Sequence, residues 1–493
     1  MKQHKTYPNR YIARVTVEAV TPIAVGSGEK DVISDALVIR DVNGLPYLPA
    51  TSLAGVLRHA VDEAGSSSTL WGFQEGDKGC GSRIAFTNAN LVDSNGRVVD
   101  GLTDVSADSL LRRYDLLPVR QHVRIGHDGT GENCYKFDNE VVYAGSRFTF
   151  EIELAYDNNQ PESQAEAEGT IRDLRSTLSN DTMRLGSNVH SGLGLLRVVS
   201  WKETTLHLKE KDDLERYINK SSSLADDCFW QDVENECPDV NTDSDWTRYD
   251  ITLTPDDTFM FGSGFGDDFK NIENEENEGA DDTPVTESRV EWTKEGKGKM
   301  TERRLLIPAS SVKGALRHRV AFHYNRLNKV YADSKSTDIG AVTGGRNKAI
   351  IALFGSDNAT DKDGNETIVA GNVMISDVFD NQDYVEKEQA SMLYHVSIDQ
   401  FTGGAREGAL YNEKVAYRPR EEYKLTLWVK NEAFTGKVVR ETIDNEFTGE
   451  YVRKALECAL DDITKGMLPL GGNVNRGHGV FTGSWTCNKP EQK

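Results

Sequence analysis

Two stretches of the chain are near copies of each other. LPATSLAGVLRHAV at 48–61 returns as IPASSVKGALRHRV at 307–320, matching Pro49 with Pro308, Ser52 with Ser311, Gly55 with Gly314, Arg58 with Arg317 and His59 with His318. Other blocks recur around them. GSG at 26–28 returns at 262–264, LWG at 70–72 as LFG at 353–355, and HVRI at 122–125 as HVSI at 395–398. FDNEVVY at 137–143 returns as LYNEKVAY at 410–417, which aligns Glu140 with Glu413 if Lys414 is an insertion. LGSNVHSGLGLLRV at 185–198 closes the first set and LGGNVNRGHGVFTG at 470–483 the second. Blocks that recur in one order are a structural unit used twice. The chain therefore divides into a first domain at 1–203 and a second at 247–493, joined by residues 204–246.

A length of 493 residues leaves room for both. The net charge of −22 is concentrated: residues 204–246 hold 12 Asp/Glu against 4 Lys/Arg, and residues 265–288 hold 9 against 1. Both stretches are polar and lack periodicity. The first reads as a solvated acidic linker, and about 265–281 as an acidic insertion in the second domain. Because these stretches carry most of the charge, acidity does not exclude nucleic acid, which needs only a local basic surface. No run approaches the roughly 18 apolar residues of a membrane span. The N-terminus lacks the apolar core of a signal peptide, and the six cysteines include no C-x-x-C pair. These features predict a cytoplasmic protein with no membrane partner, no zinc site and no disulfide framework.

In the first copy Ala13, Val15, Val17 and Ala19 alternate with Arg14, Thr16 and Glu18, as in a half-buried strand. A helix follows Pro49, with Thr51 or Ser52 able to cap it and Leu53, Val56, Leu57, Ala60 and Val61 on one face. Strand patterns follow at 82–92 and 146–156, then a helix at about 164–179, a glycine loop and a last strand at 195–202. The second copy closes with a helix near 448–464, the loop 471–479 and a strand at 480–486. This order predicts an α+β fold of two tandem ferredoxin-like (RRM-like) domains.

The G-S-G turn, the block DALVIRD followed by GLPYLPATSLAGVLR, the LFG and the closing G-x-N-x-x-x-G-x-G together resemble the RAMP superfamily. More narrowly they are similar to the backbone subunits of type III CRISPR effector complexes, and two fused units look like the double-unit subunits of type III-D systems. The resemblance covers both halves and fails only in the linker and insertions. It implies a subunit that grips CRISPR guide RNA, meets complementary target RNA, and stands beside other RAMP subunits and a large signalling subunit.

That implication gives several residues a use. The start of the helix after Pro49, and its counterpart after Pro308, would offer unpaired N–H groups to a phosphate. Ser52 and Ser311 would add hydroxyls, and Arg58, Lys313 and Arg317 charge. The plain alternative is an N-cap with a solvated basic face. The glycine loops would let ribose-phosphate approach the backbone through Gly186, Gly192, Gly194, Gly471, Gly477 and Gly479. Asn188 and Asn473 would bond ribose or a base edge, and Arg476 adds a cation in the second copy only. A tight helix-to-strand connection would account for Gly186 and Gly471, but less well for the later glycines.

The resemblance also implies a target-cleaving aspartate on the loop after the first strand. Asp35 takes that place, with Leu37 where the family has proline. In the second copy DDTPVTESRV keeps the proline, which makes Asp282 the counterpart and Asp281 the near alternative. The separation from the glycine turn grows from nine residues (Gly26 to Asp35) to twenty (Gly262 to Asp282). The 2′-hydroxyl of RNA is its own nucleophile, and in-line geometry supplies much of the rate. A carboxylate, Asp35 or Asp282, can hold a hydrated divalent ion such as magnesium at the phosphate. The implied activity is metal-dependent endoribonuclease cleavage, one site per domain. The same scaffold with one or both sites inactive is an alternative. Precursor processing through histidine is another, but the ten histidines include no evident catalytic pair on a matching loop.

Overall fold

A computed structural model describes residues 7–31, 34–63, 69–157, 161–241, 245–264, 279–331 and 339–488. Residues 265–278 of the acidic insertion lie outside them. The first unit runs β1 (Asn9–Ala19), α1 (Ala50–Glu63), β2 (Ile84–Phe86), a hairpin of β3 (Val119–Ile125) and β4 (Gly131–Glu140), β5 (Arg147–Tyr156), α2 (Pro161–Leu178) and β6 (Leu196–His207). Its main sheet has the order β2-β5-β1-β6, antiparallel throughout. This is the ferredoxin-like arrangement, in which each strand–helix–strand crossover spans one antiparallel strand. Leu53 and Leu57 of α1 and Leu174 and Leu178 of α2 share a buried cluster with Ala13, Val15 and Val17 of β1.

The solvated linker expected at 204–246 is instead largely folded. Helix α3 (Lys211–Asn219) follows β6, and Trp230 is fully buried against Ile12 and Leu206 on the outer face of the sheet. Arg14 donates to Glu151 (2.9 Å) and to Asp227 (2.7 Å), and the Trp230 indole donates to the same Glu151 (3.0 Å). Farther on, the Glu236 amide donates to the Trp201 carbonyl (2.8 Å) and the Asn241 amide to that of Ser179 (2.9 Å). One of its acids, Asp227, partners the buried Arg14 guanidinium, and one tryptophan anchors the strap, so average composition misjudged the segment. With both faces of β1 covered, Arg14 and Glu18 are buried rather than facing water.

The second unit runs β7 (Trp246–Pro255), an arm of β8 (Val290–Trp292) and β9 (Gly298–Met300), α4 (Ala309–Leu327), β10 (Val373–Ile375), a hairpin of β11 (Ala390–Ile398) and β12 (Ala405–Tyr417), β13 (Tyr423–Lys430), α5 (Val452–Thr464) and β14 (Phe481–Asn488). Its main sheet repeats the first, β10-β13-β7-β14. β7 alternates buried and half-buried positions along its whole length, the pattern that β1 loses under the strap. No helix among the described residues is long and apolar enough to cross a membrane.

The two units are locked together. Arg120 of β3 donates to Glu287 through Nε (2.6 Å) and Nη2 (2.8 Å), and to Asp377 through Nη1 (2.6 Å). All three side chains are buried. Burial alone would lower the Arg120 pKa, but Asp377 and Glu287 outweigh it and hold the guanidinium charged. The arm adds an apolar contact: Val290 belongs to the first unit's core, and the Trp292 indole donates to the Gly145 carbonyl (2.7 Å).

Candidate nucleic-acid interface

Asp35 is held by a backbone clip. Its amide donates to the Asp138 carbonyl, and its Oδ2 accepts the Asp138 amide, both at 3.1 Å. The carboxylate is thereby fixed at the base of the β3–β4 hairpin while the residue stays exposed. In the second unit the same clip is made by Asp281, whose amide donates to the Asn412 carbonyl (3.2 Å) and whose Oδ2 accepts the Asn412 amide (2.8 Å). The neighbouring bridges agree. Gly26 pairs with Val38 as Gly262 pairs with Pro284, and Ala36 pairs with Asn139 as Asp282 pairs with Glu413. The register therefore makes Asp281 the structural counterpart of Asp35, and Asp282 that of Ala36. It also matches Glu140 with Lys414, so Lys414 is no insertion. The proline in DDTP misled the sequence alignment because it stands at the place of Val38, not of Leu37.

Asp282 turns inward beside Glu413, and burial, reinforced by that second carboxylate, pushes its pKa up to about 6. Glu413 is fully buried. Its Oε1 lies 2.7 Å from His395 Nε2 and 3.5 Å from His478 Nε2, and Oε2 accepts the Asn473 side-chain amide. One buried carboxylate thus ties the hairpin, the aspartate loop and the glycine loop together. The first unit has Asn139 and Leu193 at the positions of Glu413 and His478. The repeats carried each member separately, His395 in HVSI, Glu413 in LYNEKVAY and Asn473 with His478 in the glycine loop, but gave no sign that they meet.

The glycine loops superpose in conformation. Asn188 (φ 54°) and Asn473 (φ 52°) are both left-handed. Most of the glycines are required by close backbone packing. A Cβ on Gly186 would lie 2.4 Å from the Ala24 carbonyl oxygen, and on Gly471 2.2 Å from that of Met260. Gly194 and Gly479 abut Leu185 and Leu470 in the same way. Gly192 packs on Ala309 and Asp377 of the second unit, whereas its counterpart Gly477 has open space before it. Arg476 lies over the Tyr411 ring.

The helix starts differ from expectation. The helix α1 begins at Ala50, which puts Thr51 and Ser52 inside it and not at its cap, and the Ala50 amide donates to Asn88 Oδ1 (2.9 Å) just after β2. In α4 the Ala309 amide donates to Asp377 Oδ1 (2.8 Å). A buried carboxylate already occupies the positive end of α4, so its first N–H groups are not an open phosphate seat, and Ser311 stands exposed beside it. The cations one turn on are placed differently. Lys313 is enclosed with Arg317 as its charged neighbour, and among the described residues it forms no ion pair. Burial, then Arg317, pushes its pKa down to about 8. His190 of the first unit's glycine loop faces the same lysine, and its own pKa is lowered by burial and then by Lys313. Arg58 and His59 of α1 are exposed, whereas His318 Nε2 lies 3.2 Å from the Ile125 carbonyl under the first hairpin.

Asp138 Oδ1 is buried without a hydrogen-bond partner next to Asp35, and magnesium is bound through one or two carboxylates while keeping several waters. In the second unit Asn412 replaces Asp138, leaving Asp281 with Asp282 beside it. Among the described residues no three His, Cys, Asp or Glu side chains converge on a point that could hold an ion.

A comparison with curated proteins finds no match. The family model of the RAMP superfamily matches twice, over residues 16–197 and 298–482. The first match runs from within β1 to the start of β6 and the second from β9 to the start of β14, leaving out β7, so one match falls in each ferredoxin-like unit, and the family gives the chain a CRISPR-associated RNA-binding role. The chain belongs to the RAMP superfamily, as a tandem of two RAMP units.

Proposed function

We propose that the chain is a guide-RNA-binding backbone subunit of a type III CRISPR effector complex that also cleaves guide-paired target RNA, at Asp35 in one unit and Asp281 in the other. The observation that carries this reading is the repeated clip: two exposed aspartates held identically at the base of a hairpin, one per unit. Lys313 and Arg317 support the binding half. They bring positive charge into a half-enclosed site beside His190, with no acidic side chain paired to Lys313, which favours an anion such as a phosphate.

In this mechanism the chain supplies orientation. One oxygen of Asp35 is committed to an amide, so the other is presented in a fixed direction to the RNA. A bound divalent ion supplies charge neutralisation at the scissile phosphate. The 2′-hydroxyl attacks the adjacent phosphorus and the 5′-oxygen leaves, giving a 2′,3′-cyclic phosphate and a 5′-hydroxyl. Asn412 in place of Asp138 favours a second reading for the second unit alone, in which it binds RNA without cutting. The test is cleavage of labelled complementary RNA by the assembled complex with and without magnesium. Cuts at two positions support the proposal, and the absence of any cut attributable to this chain would leave only the binding subunit.

A further inference from the structure

The inner junction of this chain has a chemistry that its two outer faces do not repeat. Arg120 pairs with Asn139 across the first hairpin, and Leu393 pairs with Glu413 across the second, so Leu393 holds Arg120's place. Asp377 and Asn88 each accept the first amide of a helix, α4 and α1 respectively, so Asn88 holds Asp377's place. The Ile39 amide bonds Val25 as the Val285 amide bonds Phe261, which puts Asp41 in the place of Glu287. The arm at 290–300 is replaced in the first unit by the turn of Asp41, whose amide donates to the Leu45 carbonyl (2.8 Å). The outer faces are otherwise alike in backbone. Gly477 opens to space where Gly192 is packed, and Val396, Ile398 and Phe401 of the second hairpin are exposed.

We propose that the Arg120–Glu287–Asp377 triad is a register key: it lets the two units of one chain dock on each other and keeps the chain from stacking head-to-tail on copies of itself. Three wrong pairings are conceivable. The second hairpin on another copy's α4 would bury Glu287 and Asp377 opposite Leu393 with no cation. The first hairpin on another copy's α1 would set Arg120 opposite Asn88 in place of Asp377, with Asp41 in the place of Glu287 as its one carboxylate. The second hairpin on another copy's α1 strands no charge, but it lacks the ion triad and the arm. The first pairing is refused by two unpaired buried carboxylates, the second leaves Arg120 with one carboxylate in place of two, and the third is left without the contacts that hold the inner junction. A heterologous contact that does not close would otherwise grow into an open filament. The chain therefore enters an assembly as a single copy, with different polypeptides at its two ends.

The test restores the key at the ends. Asn88→Asp introduces a carboxylate that can still cap α1, and Leu393→Arg places a guanidinium on the hairpin, with Asp41 already present. The full chain should sediment as a single chain at micromolar concentration, and the double variant should shift to dimers and longer head-to-tail species. Circular dichroism and thermal melts matching the parent would show that the variant is folded. If it is not, Leu393→Arg alone serves, and should raise self-association relative to Leu393→Ala. Head-to-tail oligomers of the unaltered chain, or folded key-restored variants that remain single chains, would overturn the proposal.

Discussion

Asp281 Oδ2 accepts the amide of Asn412 at 2.8 Å, while Asp282, one residue on, turns toward buried Glu413. Two adjacent carboxylates thus face different surroundings, and only the first repeats the position of Asp35. In the assembled complex Asp35→Ala should remove one target cut and Asp281→Ala the other, each by about 100-fold or more in rate. Affinity for target should hardly change, because it comes from pairing with the guide and from distributed backbone contacts. Asp282→Ala should leave both cuts in place. Loss of the second cut in Asp282→Ala but not in Asp281→Ala would reverse the assignment.

Asp282 also carries a pH signature. Its folded pKa, near 6, lies above the ordinary 3.8, so the folded state holds the proton more tightly than the unfolded chain. Stability from this group is therefore full at low pH and is lost as pH rises from about 4 through 6. Asp282→Asn should raise stability by roughly 1–2 kcal/mol at pH 8, a value discounted for partial exposure, and by little at pH 4. Urea melts at the two pH values check the difference, and an equal gain at both would count against a raised Asp282.

Removing the guanidinium of Arg120 strands two buried carboxylates. Arg120→Ala should destabilise the chain by about 3–5 kcal/mol, and the inner junction should open first. Protease cleavage between the units, and a second melting transition, are the readouts. Adding Asp377→Asn should recover part of the loss.

Lys313 should lose its charge at a lower pH than a surface lysine. With its pKa near 8, it is charged at pH 7 and largely neutral by pH 9 in the free protein. Guide retention should weaken across that interval and fall further in Lys313→Glu, whereas Lys313→Arg should flatten the dependence. Retention that tracks salt but not pH would place the phosphate elsewhere.

Trp230 anchors the strap, and Trp230→Ala should cost about 3–5 kcal/mol. It should also expose residues 208–241 to limited proteolysis. A variant with parental stability would return this segment to the status of a linker.

The repeat and the fold of each unit are legible in the residues alone, as is the loop that carries each aspartate. Ordered blocks report the same backbone twice, and alternation along a strand and a proline before α1 and α4 are local properties. Asp35 was legible for the same reason, since one unbroken loop carries it. Which of two adjacent aspartates is its partner was decided only by the tertiary structure, because the hydrogen bonds that fix the register run to residues more than a hundred positions away. The strap was hidden by composition: Arg14, Glu151 and Asp227 read as surface charges until they are brought together under Trp230. The capping of α1 and α4 by Asn88 and Asp377, the Glu413 cluster and the Arg120 triad were hidden likewise. A buried ion pair leaves no periodicity in a sequence, and its partners are chosen by how two folded units meet.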